Sequence, residues 1–161
     1  MALTYEPINT QTISSTQTSV IFSGIPSTYT DLVLILDTIS ANSGDDGRLQ
    51  FNGDTGTNYS STQLWSNGTP ASNRNTSQTS MRLFNDLYST TRSIGIAHIM
   101  NYSNATTNKT VISRFGTDNI SVGTFVGLWR STAAITSLNV VHTGSGYASG
   151  STFTLYGIKA A

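Results

Sequence analysis

The stretch Asp31-Leu32-Val33-Leu34-Ile35-Leu36-Asp37-Thr38-Ile39 decides the reading of the fold. Side chains alternate across a strand, so Leu32, Leu34 and Leu36 share one face and Val33, Ile35 and Ile39 the other. Both faces are apolar, which predicts a central strand covered on both sides. Outward from it, no long segment repeats apolar residues at helical spacing. Short β-branched and aromatic runs follow one another instead, punctuated by Gly, Asn, Asp, Ser and Pro. Towards the N-terminus, residues 18–22 read as a strand closed by Ser23-Gly24-Ile25-Pro26. Towards the C-terminus, 43–47 is a turn and 48–51 a strand. Asn52-Gly53 then predicts a tight hairpin into a strand over 58–65. Further strands are expected over 81–84, 93–101, 109–115, 122–129, 134–142 and 151–158.

Residues 66–80 are polar, carry Gly and Pro and show no periodicity, so they read as a long loop. Residues 1–12 read as an N-terminal arm. The pattern predicts an all-β protein, a single antiparallel β-sandwich over residues 1–161, jelly-roll-like, with eight or nine strands. Neither an internal repeat nor a low-complexity linker suggests a second domain.

Composition narrows the function. Charged residues are 10% of the 161 and the formal net charge is zero, against about 25% charged in an average globular protein. Nucleic acid and anionic membrane both require clustered Lys and Arg, so neither is expected as a partner. The absence of cysteine excludes disulfides, thiolate metal sites and a Cys nucleophile. No run approaches the roughly 18 apolar residues of a membrane helix, and residues 1–12 lack the basic and apolar regions of a secretory signal, so a soluble protein is expected. The Asn-x-Ser/Thr tripeptides at Asn58, Asn67, Asn75, Asn101, Asn104 and Asn119 follow from the abundance of those residues.

Candidates for chemistry are few. His98 lies in an apolar strand and His142 at a strand end, neither with a neighbouring carboxylate and nucleophile in sequence. The acidic residues mostly flank turns, where their oxygens satisfy backbone N–H groups. Asp45, Asp46 and Asp54, with Asn52 and Asn58, are the candidate oxygen ligands for calcium, although the alternating ligands and terminal Glu of an EF-hand are absent. Gly144-Ser145-Gly146 and residues 53–56 lack the ending of a phosphate cradle and read as turns. Trp65, Tyr59, Tyr88, Tyr102 and Tyr147 lie near turns and are the candidates for stacking against sugar rings. No cofactor and no catalysis are expected. A polysaccharide-cleaving enzyme would need two carboxyl groups about 5–10 Å apart in a groove.

Four segments, IPSTYTDLVL (25–34), FNGDTGTNYS (51–60), GLWRSTAAIT (127–136) and GSTFTLYGIK (150–159), go beyond composition. Together with Tyr5-Glu6-Pro7-Ile8, and in that order, they resemble a family of small virion structural proteins of tailed bacteriophages, many infecting cyanobacteria and other marine bacteria. The least similar part is 66–92. The resemblance implies a particle component made in the host cytoplasm and carried in the virion, with no catalytic motif. The first role it implies is a capsid decoration or cement protein, bound to the major capsid protein or other virion proteins. A homo-oligomer, a trimer in particular, is then expected, with contacts in the arm and the 66–80 loop. The alternative is a tail-fibre or appendage module that recognises host surface glycan. A surface of low charge suits a particle in salt water, since salt screens few of its contacts.

Overall fold

Alternating apolar residues become strands wherever one face can be buried. In the computed structural model, which describes residues 4–118 and 120–159, the chain forms β1 (Tyr5–Thr12), β2 (Ser19–Phe22), β3 (Asp31–Thr38), β4 (Asp45–Phe51), β5 (Tyr59–Ser66) and β6 (Pro70–Gln78). It continues through β7 (Met81–Leu87), β8 (Ser93–Met100), β9 (Lys109–Thr117), β10 (Ser121–Trp129), β11 (Leu138–His142) and β12 (Thr152–Ile158). Among the described residues, twelve strands therefore replace the eight or nine expected.

One sheet has eight strands in the order β1-β12-β3-β8-β9-β10-β5-β6, the other four in the order β2-β11-β4-β7. Every pairing is antiparallel. The fold is an all-β sandwich. Eight of its strands pair in nested order, β1 with β12, β2 with β11, β3 with β8 and β4 with β7, as in a rolled-up ribbon of two Greek keys. Two inserted hairpins, β5-β6 and β9-β10, widen one sheet, so the whole departs from an eight-stranded jelly roll.

Leu32, Leu34 and Leu36 of β3 are buried between the sheets with Leu49, Phe51, Phe84, Phe125, Phe153 and Leu155. Gly95 on β8 makes room for this packing: a Cβ there would fall inside the ring of Phe84, which reaches across from β7. Strand β3 is central in its sheet as expected, but its far side is not covered by a third layer: Val33 is buried there, while Ile35 is 38% exposed.

Three local expectations are corrected. The segment expected as an arm, 1–12, contributes β1, an edge strand on β12 with a bulge at Ile8, while Met1 to Leu3 lie outside the described residues. Pro7 is tolerated because an edge strand need not donate from every N–H. The segment expected as a loop, 66–80, is largely β6, paired with β5 through Pro70–Ser66 to Gln78–Tyr59. The small sheet does not reach over it: β7 packs on β9, β10 and β5, and β6 is exposed on both faces. With neither face buried it has no apolar alternation to read. Finally, Asn52 and Gly53 both adopt positive φ, 52° and 69°, and the Asp54 N–H donates to the Phe51 carbonyl at 2.8 Å, which makes the tight turn. No hairpin follows, because β4 belongs to the small sheet and β5 to the large one. The turn carries the chain between layers.

Candidate functional site

His142 ends β11 in the core of the loop end, 3% exposed. Its Nδ1 accepts from the backbone N–H groups of Gly144 and Gly146, each at 3.1 Å, so the ring proton sits on Nε2. Nε2 faces the Ser40 hydroxyl at 2.8 Å, and Ser40 is itself 1% exposed. The Asp45 carboxylate stands 4.0 Å from Nδ1. Ser, His and Asp thus come together, but a triad needs Nδ1–H pointing at the Asp and a lone pair on Nε2 for the Ser proton. Here both nitrogens play the opposite part. Burial holds the imidazole pKa below its ordinary value, with the nearby carboxylates of Asp45 and Asp46 opposing in part. The cluster ties the β3–β4 loop to the β11–β12 loop. His98, by contrast, is half-buried on the outer face of the large sheet, between Val33 and Ile112.

The three candidate calcium ligands do not converge. Asp46 is held between Arg48 at 3.2 Å and Arg82 at 3.1 Å. Asp45 faces His142. Asp54 accepts from the Trp129 indole at 2.7 Å, from Asn58 and from the Gly56 N–H, organising the 54–58 loop. Desolvation pushes its carboxyl up, but those bonds outweigh it and hold the pKa below the ordinary value. Among the described residues no three His, Cys, Asp or Glu side chains are placed to share a metal ion.

The aromatic candidates divide. Tyr59, Tyr102 and Tyr147 are fully buried, which corrects their reading as displayed rings. Tyr59 stacks on Trp129, and its hydroxyl, pushed up to about 12 by burial, binds the Phe51 N–H and the Asp54 carbonyl. Tyr102 donates to the Pro26 carbonyl, and Tyr147 packs edge-on between His142 and Phe153. Trp65 and Tyr88 are half-buried, Trp65 on the inner side of the β5-β6 overhang against the core. Lys109, not foreseen from the sequence, is buried, and its ammonium donates to the Thr107 and Thr132 carbonyls at 2.6 and 3.1 Å.

The largest unexplained feature is the outer face of the eight-stranded sheet. Ladder registers align Asp37, Ile94, Gly116, Val122 and Ser66 in one row across β3, β8, β9, β10 and β5. The next row holds Ile35, Ile96, Arg114, Thr124 and Leu64, and the third Val33, His98, Ile112, Val126 and Thr62. Ile94 is 54% exposed, Val122 61% and Leu64 59%. Asp37 is neutralised by Arg92 at 2.6 Å, which leaves Arg114 as the charge within these rows. The signal in the sequence is an apolar second face, which on 31–39 predicts coverage on both sides.

No protein-family model matches the chain, and no curated protein does.

Proposed function

We propose that the chain is a non-catalytic structural component of a tailed-phage virion, most simply a capsid decoration protein, and that it assembles through the outer face of its eight-stranded sheet. The observation that carries this reading is that face itself: an array of exposed Ile, Val and Leu side chains on a rigid ladder. An exposed apolar area of several hundred Å2 on a soluble domain marks a surface used in association. Scattered single residues would need no such reason. The resemblance to small virion proteins over segments 25–34, 51–60, 127–136 and 150–159 supports the setting. The His142 geometry, with both ring nitrogens in the wrong roles for general-base work, supports a role without catalysis. Few charges on the surface suit an assembly whose contacts must hold in salt.

The test is stoichiometry. Quantitative mass spectrometry of purified particles, referenced to the major capsid protein, should give hundreds of copies per particle. A few to a few dozen copies would move the protein to the tail, and its absence from purified particles would end the reading.

A further inference from the structure

Two shallow depressions on the outer face of the large sheet meet at Ile94 and Gly116. One is bounded by Val122 and Asp118, the other by Ile35, Ile96 and Arg114. They form one trough along β9, floored by the missing side chain of Gly116, with the Asp118 carboxylate at one end, beside Arg92 whose charge is taken up by Asp37, and the Arg114 guanidinium at the other. Arg114 and Asp118 are both exposed, and among the described residues neither takes part in an ion pair. Gly116 lies midway between them in sequence, about 7 Å along the strand from Arg114, with Asp118 in the turn that follows β9.

We propose that this trough is the contact for a second copy of the chain, related by a two-fold axis that lies between the two sheets and crosses the strands at Gly116. The proposal rests on the reading of the outer face as an assembly surface and names its occupant. Such an axis reverses β9 in the second copy, so Arg114 of each molecule faces Asp118 of the other and both lone charges are paired. On the axis, Ile94 meets Ile94 and Val122 meets Val122, while Gly116 lets the two ladders approach. Any contact that i makes with j is made again by j with i, as a two-fold requires. An axis parallel to β9 would instead set Arg114 against Arg114. From β3 to β5 the trough region spans four inter-strand gaps, about 19 Å, and from Asp118 to Arg114 about 13 Å. A contact of that size stays below the roughly 800 Å2 per partner of a standard interface, which makes the dimer reversible. A dimer departs from the trimer expected from the sequence.

Sedimentation equilibrium tests this with a pair of charge reversals. Wild-type protein at on the order of 0.1–1 mM should rise from 17.2 kDa towards twice that mass. Arg114→Glu and Asp118→Arg should each weaken self-association about tenfold or more, since each places like charges at both ends of the trough. Because among the described residues neither side chain has an ion-pair partner in its own chain, the thermal midpoint of Arg114→Glu should stay at the wild-type value, and that of Asp118→Arg, which sets a second guanidinium beside Arg92, should fall by no more than a few degrees. An equimolar mixture of the two variants should associate again. In the mixed dimer the introduced carboxylate of one molecule faces the introduced guanidinium of the other, and the unaltered Arg114 faces the unaltered Asp118. Wild type that stays monomeric throughout the range, or a mixture no more associated than its separate components, overturns the proposal. A monomeric protein still found at hundreds of copies per particle would overturn the dimer and leave the assembly reading standing.

Discussion

His142 shows how a titratable side chain can serve architecture. Its Nδ1 is an acceptor for two backbone N–H groups, so protonation would set a proton against donors already aimed at it. The folded-state pKa lies below the unfolded value near 6.5, mainly through desolvation. Above that unfolded value the imidazole is neutral in both states. As pH falls below it the unfolded chain takes up the proton first, so stability drops between the unfolded and the folded pKa. We expect the thermal midpoint to fall from pH 8 to pH 5, and His142→Gln to be less stable at pH 8 but flatter over that interval. An equal slope in wild type and variant would contradict this. Asp54 acts in a lower window: its carboxyl is held down, so its contribution is present above the unfolded value near 3.9 and disappears as pH falls through the folded one. Asp54→Ala leaves the Trp129 indole unpartnered and should cost about 1–3 kcal/mol at neutral pH, measured by urea unfolding.

At the scale of elements, the contact between sheets depends on matched sizes. Phe84 of β7 fills the space above Gly95 of β8, where a Cβ would stand 2.4 Å from the ring, and Gly47 of β4 is nearly as close at 2.7 Å. Gly95→Ala should therefore overpack the interface and cost about 1–3 kcal/mol, whereas Phe84→Ala should leave a cavity and cost about 3–5 kcal/mol. Denaturant melts of both variants check the pair. A neutral Gly95→Ala would mean that the ring can move aside. Strand β6 is the opposite case, held by β5 alone and wet on both faces. Its amides should lose protection in hydrogen exchange well before those of β3 and β8, which sit inside the large sheet over buried Leu32, Leu34 and Leu36.

At the scale of the whole molecule, the inserted hairpins β5-β6 and β9-β10 have two consequences with one cause. They make the large sheet twice as wide as the small one, which leaves β6 uncovered on its inner side and gives the outer face its breadth. If association runs through an apolar trough closed by two ion pairs, raising salt should weaken the dimer only modestly, by a few-fold between about 0.1 and 1 M, because the apolar centre is not screened. A loss of about a hundredfold would mean that charge dominates. Most of the fold was legible where burial leaves a period in the sequence: Leu32, Leu34 and Leu36 announced β3, and the alternations of β8 to β12 announced theirs. Strand β6 was not legible because nothing covers it, and β1 was masked by Pro7 at a tolerant edge. The candidate site was legible only as an ambiguity. Ile35, Ile94 and Ile112 are apolar residues on a strand's second face, and a local period cannot tell a face that another layer covers from one left for a partner. By itself the sequence determined the all-β class, the neutral composition and the strand character of the central segments, because alternation and composition are local. Tertiary structure alone decided which strands share a sheet, that the Asn52-Gly53 turn crosses layers, that Tyr59, Tyr102 and Tyr147 are buried, and that Arg114 and Asp118 close one trough, because each depends on what segments distant in the chain place next to one another.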